Sequence, residues 1–276
     1  MNVSVVVGLV IGLEGLSQAS RVLLKVFGRM AVGSTPHKEE RFMALITLGP
    51  SYVVTTIVAA VTGFRGAFHF IGLLNAPAGV QMTGTRFGGD MEPAWVMACA
   101  GVEQTNYIFS AYLVQDLVHL IIQYPKLGGL EQLLHHSVFI LCCFISGGYQ
   151  INHFPFAWLI LGELSTVLLE ARWFLRQMDM GHGALMDFVN MSFAATFGVT
   201  RVLVYGWGLV KMLVSNNVIW EDPGATGLSK TLVMINLVLV VLGYGLNLFW
   251  FQKIVAMALR GSKKKEDKVG KEEKAH

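Results

Sequence analysis

Ionisable side chains are scarce in this chain, and several stand where chemistry would need them. Asp116 and His119 fall one helical turn apart. Glu131, Gln132, His135 and His136 follow, with Glu131 facing His135 and Gln132 facing His136 at i,i+4 spacing. A third cluster holds Glu163, Ser165, Thr166, Glu170 and Arg172, in which Glu163 and Glu170 share a helix face. Arg201 stands alone in an apolar run, and Asn236, Asn247 and the segment Trp250-Phe251-Gln252-Lys253 complete the set. Imidazole and carboxylate together transfer protons or ligate a metal. Guanidinium and amide groups hold polar headgroups. Asp116, His119, Glu131 and His135 are the only plausible metal set, and no HxxxH or ExxH pair repeats across segments. Neither a metal nor a cofactor is expected.

The elements that must position these groups are membrane spans. Of 276 residues 54% are hydrophobic and only 14% charged, whereas a soluble chain of this size carries roughly a quarter charged residues. Mean hydropathy is +0.55. Residues 42–64, 132–162 and 231–252 contain no Asp, Glu, Lys or Arg, and a bilayer-crossing helix needs only about 20 residues. A soluble enzyme, a nucleic-acid module and a disordered chain are excluded. Three cysteines, two of them adjacent at Cys142 and Cys143, form no disulfide or zinc pattern.

Apolar length and punctuation predict an all-α polytopic membrane protein with about seven transmembrane helices, near residues 3–26, 42–64, 104–122, 130–149, 154–175, 188–214 and 231–257. The first reads as an uncleaved span. A glycine-rich loop is expected over 66–92, with an interfacial patch at 68–74. The organisation is then 1–37, a first helix and basic connection; 38–260, the transmembrane domain; and 261–276, a charged flexible tail. Fifteen of the 21 Lys and Arg fall on one side of this arrangement and four on the other, which predicts an N-out, C-in orientation. At 1.5 Å per residue Asp116 lies roughly 9 Å from the inner end of its span, His135 roughly 8 Å and Asn247 roughly 15 Å. A polar cavity opening to the inner face satisfies all of them, with the deeper Glu163 and Arg201 at its floor or paired with each other. Arg172 and Arg176 also suit snorkelling anchors.

The runs SAYLVQDL (110–117), LLHH (133–136), LGELST (161–166), EARWFL (170–175) and LNLFWFQKI (246–254) resemble the TLC-domain superfamily, over about residues 38–260. That superfamily includes ceramide synthases, TRAM-type translocation factors and small TLC-domain proteins tied to membrane lipid composition. The resemblance implies a TLC-type helical bundle and endoplasmic-reticulum residence, with an organelle's inner membrane as the alternative. The ceramide-synthase signature has a His-Asp step where this chain has Gly162-Glu163, and an Asp where it has Thr166. The sequence is therefore closer to the small members.

Three functions follow as expectations. The first is a protein that binds a lipid or acyl group through Asp116, His119, His135, His136, Glu163, Glu170, Arg172, Arg201, Asn247 and Trp250, influencing lipid composition or transport. The second is a non-catalytic subunit of a membrane complex, partnered with other membrane proteins through small positions such as Gly206, Gly208, Gly243 and Gly245. The third is an acyl-CoA-dependent acyltransferase with His135 and His136 catalytic. Membrane lipids are the expected partners in the first, and nucleic acid in none.

Overall fold

The computed structural model describes residues 1–32, 37–87, 91–215 and 230–273, and among these every regular element is helical. Helix α1 (Val3–Ala31) starts at Asn2, whose side chain accepts the Ser4 N–H at 3.0 Å, as a capping residue should. A short α2 (Lys38–Thr47) carries Glu39 and Glu40 in its first turn, where the helix dipole favours acids. Next come α3 (Gly49–Leu73), α4 (Ala78–Thr83), α5 (Pro93–Ile122) and α6 (Leu130–Tyr149). The chain continues through α7 (His153–Ile160), α8 (Glu163–Gln177), α9 (Ala184–Phe197), a π-helical segment Gly198–Val204, and α10 (Tyr205–Ser215). Helix α11 (Lys230–Glu273) is last, its backbone running on through the charged segment expected as a tail. Gly88, Gly89 and the last three residues of that tail lie outside the described residues.

Six stretches among the described residues are long and apolar enough to cross a membrane: Val3–Ala31, Gly49–Leu73, Leu130–Tyr149, His153–Gln177, Ala184–Val214 and Thr231–Ala258. The remaining expected span is α5. Its 30 residues reach about 45 Å, but Glu103, Gln104, Asn106, Gln115 and Asp116 lower its hydropathy. Three of those polar groups face protein instead of lipid, because α5 packs against α1, α3 and α6; Gln104 is exposed and Glu103 half-buried. Asn106, Gln115 and Asp116 are all buried. The outward surface is apolar, with Phe68, Ile71, Met97, Ile122, Phe188, Leu203 and Val214 exposed. The chain is a multipass helical membrane protein.

Three expectations about element boundaries need correcting. Residues 66–73 are not a loop, because α3 runs on to Leu73. The glycines there serve close helix contact. A Cβ on Gly66 would lie 2.5 Å from Ile160 Cγ2, and one on Gly72 3.2 Å from Ala98 Cβ. Helix α5 also begins at Pro93, about three turns before the part of it expected to cross the membrane. The fifth span is broken at Leu161–Gly162 into α7 and α8, and the sixth carries the π segment near its middle.

Both irregularities bear on the polar groups inside. At the end opposite the basic connections, α4 folds back onto α7, with Val80, Gln81, Met82 and Thr83 all buried. Gln81 Nε2 donates to the carbonyls of Leu73 and Leu74 at 2.9 and 3.1 Å. Gly84 has φ of +58° and sits against the His153 ring, where a Cβ would collide. This position requires glycine on both counts.

Candidate functional site

The break between α7 and α8 exists where Arg201 needs it. Arg201 Nε donates to Gly162 O at 3.1 Å and to Ser165 Oγ at 2.9 Å. Its Nη2 donates to Glu163 Oε1 at 2.9 Å and Thr166 Oγ1 at 2.8 Å. Thr166 in turn donates to Glu163 Oε2 at 3.0 Å, so the turn Gly162–Thr166 wraps the guanidinium. The Phe197 ring covers it, with its centroid 5.7 Å from Arg201 Cζ. A Cβ on Gly162 would come within 3.1 Å of Arg201 Cγ, which explains the glycine. On the other side the π segment sets the register of Arg201. Such single wide turns inside α-helices commonly re-aim a side chain at a functional site. The pairing of Arg201 with Glu163, expected from their depths, is the arrangement present.

A second pair stands on α5 and α6. His136 Nε2 lies 2.9 Å from Asp116 Oδ2, and His136 Nδ1 lies 2.9 Å from Gln132 O. A backbone carbonyl only accepts, so Nδ1 carries a proton. His135, its neighbour, packs against Phe139 and Trp250 at ring-centroid distances of 4.6 and 5.1 Å. Its Nδ1 is buried with no hydrogen-bond partner, as is Glu170 Oε2. Among the described residues Glu170 makes no ion pair within 4.0 Å. Arg172 donates from Nε to Asn190 Oδ1 at 2.6 Å and lies over Phe193, 4.8 Å from its centroid.

These groups surround a cavity of about 300 Å³, at the lower end of the size range of small-molecule sites. Asp116, His135, His136, Glu163, Glu170, Arg172, Arg201 and Trp250 line it, so the structure brings together eight of the ten residues singled out above. Leu113, Leu120, Leu169, Phe193, Phe197 and Ile254 supply its apolar wall. Leu127, Gln132 and Lys253 stand at the end carrying the basic connections, where Lys253 Nζ approaches Glu131 Oε1 at 3.7 Å.

Two expected residues are placed elsewhere. Asn247 lines a separate chamber of about 20 Å³, walled also by His135, Glu163, Arg201, Tyr205 and Asn236. His119 turns away toward α1. Its Nε2 lies 2.8 Å from Glu14 Oε2, and its Nδ1 2.8 Å from Ser51 Oγ. One turn from Asp116 was close enough for a shared face on paper, but α5 is surrounded, and its two sides meet different partners. The candidate metal set is thereby dispersed. Among the described residues no group of three His, Cys, Asp or Glu could hold a metal ion.

The sequence reading missed Ser51, Tyr52 and Thr55, which line the cavity from the first turns of α3. They are uncharged, and nothing in their spacing separates them from ordinary polar residues at a helix start. The four glycines that suggested a neighbouring subunit are mostly used within the chain. A Cβ on Gly206 would meet Tyr244, one on Gly208 would meet Trp158, and one on Gly243 would meet Tyr205 and Phe139. Only Gly245 has open space.

Helices crossing the bilayer around a half-polar internal chamber define the class: a multipass membrane protein with an intramembrane ligand-sized cavity. The model of the TLC domain matches residues 52–256, and the chain belongs to the TLC-domain family. It is similar to TLC domain-containing protein 4 A of Dictyostelium discoideum, with 22% identity over 164 residues. That alignment covers 59% of this chain and 60% of the relative, so the chain spans about 60% of the length of the curated protein it matches. No solved structure matches it.

Proposed function

We propose that the chain takes a membrane lipid, or its acyl portion, into the cavity beside His135 and His136, and thereby influences membrane lipid composition or transport. The observation that carries this reading is the pairing of an apolar wall with buried polar atoms that the protein itself leaves unpaired, His135 Nδ1 and Glu170 Oε2. A buried polar atom without a partner costs about 1–3 kcal/mol. A polar headgroup or glycerol hydroxyl at that point recovers the loss, while acyl carbons lie along Leu113, Leu169, Phe193 and Ile254. Membership of the TLC-domain family supports a role in lipid handling. Residence in the endoplasmic reticulum belongs to the same reading, as does an orientation with the cavity mouth toward the cytoplasm. The reading requires no metal or cofactor.

Mass spectrometry of lipids carried through purification in mild detergent tests it. The wild-type protein is expected to retain a defined lipid class that is depleted when His135 and His136 are both changed to Gln. Unfolding in the same detergent establishes that the variant remains folded. Retention of an indiscriminate lipid mixture, unchanged in the folded variant, overturns the proposal.

A further inference from the structure

The geometry points to Ser51 as a nucleophile on the cavity wall, activated by His119 and positioned through Glu14, making this a Ser-His-Glu site for acyl transfer from ester-linked lipids. The inference rests on the reading of the cavity as a lipid chamber, which supplies the substrate.

Three helices contribute one member each. Ser51 sits in the first turn of α3, His119 near the end of α5 and Glu14 in the middle of α1. Ser51 Oγ is 2.8 Å from His119 Nδ1, and His119 Nε2 is 2.8 Å from Glu14 Oε2. These are the distances at which a base takes a proton and a carboxylate holds the base in place. They also fix the tautomer that the chemistry needs. With Nε2–H donating to the carboxylate, the Nδ1 lone pair accepts from the serine hydroxyl. Glu14 is itself held. Gln18 Nε2 donates to its Oε1 at 2.5 Å, and Gln115 Nε2 lies 3.4 Å from its Oε2.

The network also fastens α1 to α5 through the Glu14–His119 pair, and Ser51 satisfies the far nitrogen of the ring. Ser51 is also the one member of the three that lines the cavity. Tyr52 and Thr55 line the same wall of α3, with Thr55 one turn beyond Ser51. Tyr52 supplies a hydroxyl donor for an oxyanion, near the positive end of the α3 dipole. Glu14 and Ser51 both precede residue 52, where the family match begins.

The reaction conserves every atom. Ser51 Oγ attacks the ester carbonyl carbon, its proton passing to His119 Nδ1 and the carbonyl π pair to oxygen. Collapse of the tetrahedral species breaks the bond to the leaving alcohol, which takes the proton from His119. Ser51 is left as an acyl ester. A water, or an acceptor alcohol in its place, gives a proton to His119 and attacks the acyl carbon. The Ser51 oxygen leaves with the proton returned by His119, releasing a fatty acid or a new ester.

The test uses the full-length protein in mild detergent, a fluorophosphonate probe that reacts with activated serines, and p-nitrophenyl butyrate as ester. Phosphonylation is expected at Ser51 by peptide mapping, absent in Ser51→Ala and slowed about 100-fold or more in His119→Gln. Ester turnover should follow the same order. Glu14→Asp should restore part of the rate that Glu14→Ala loses, which a purely structural loss would not show when both variants unfold at the same temperature. Where His119→Gln fails to fold, labelling of wild type against Ser51→Ala decides the matter alone. A folded wild-type protein unlabelled at Ser51, or labelled equally fast with His119 changed, overturns the inference. Lipid retained by the wild-type protein, measured separately, reports on the chamber itself. Labelling without any retained lipid would overturn the chamber reading and leave the serine site standing.

Discussion

An arginine at the centre of a membrane span costs at least about 2.5 kcal/mol unless something inside the protein receives it. Arg201 is received by Gly162 O, Ser165, Glu163 and Thr166 together, and it keeps only 9% of its surface exposed. Removing one partner from such a pair strands the other, a change of about 3–5 kcal/mol, whereas apolar replacement of both is far milder. Arg201→Leu should therefore destabilise the protein strongly, and Arg201→Leu with Glu163→Leu should recover part of the loss. Equilibrium unfolding in detergent measures both, and a single variant as stable as wild type would rule the pair unimportant. Gly162→Ala is expected to act in the same direction by about 1–3 kcal/mol, as overpacking does, because its methyl would press on Arg201 Cγ and on Leu159 O, each at 3.1 Å. Much of this pair was legible in the sequence, since few carboxylates lay deep enough to meet Arg201. The fate of His119 was not. A periodicity argument says which residues share a helix face, but it does not say which neighbour that face meets, and His119 and Asp116 diverge on that point.

The elements departed from the sequence reading wherever glycine was taken as punctuation. Gly66 and Gly72 suggested a loop because a turn and a tight helix contact make the same demand, the absence of a side chain. The structure uses them for contact, so α3 starts later than expected, at Gly49, and runs on past the expected end to Leu73. The apolar spans themselves were plain from charge-free length, and only their interruptions were hidden. The π segment Gly198–Val204 inserts an extra residue into the sixth span, and no composition signal marks it. Its effect should be separable from that of the charge. Deleting Val199, which is exposed, restores an even α-helical repeat and rotates α9 relative to Arg201 by about 100°, one residue's turn at 3.6 per turn. The deletion should destabilise the protein by an amount comparable with Arg201→Leu. Combined, the two changes should cost little more than either, because they remove the same contacts. Additive losses in thermal unfolding would show that the π segment serves something other than aiming Arg201.

At the scale of the whole chain, the topology expected from the sequence puts fifteen basic residues on one side and four on the other, a bias that orients membrane proteins. Cysteines placed at Lys126 and at Arg86, both exposed and at opposite ends, should react with a membrane-impermeant maleimide from opposite sides, Lys126→Cys from the cytoplasmic one. The native Cys99, Cys142 and Cys143 are buried and free, and they should contribute little background. Labelling of both positions from one side would contradict a membrane crossing by α5. The fold has one further consequence, set by the buried helix α4. Among the described residues Val80, Met82 and the His153–Gly84 contact pack the end opposite the basic connections, and no residue of α4 or α7 lines the cavity, so the cavity should behave as a blind alley and not a tunnel. Whatever occupies it must back out the way it came. Exchange of one occupant for another is therefore governed by departure. Added competitor should leave the rate of release unchanged, and two long molecules should not be able to pass through in single file.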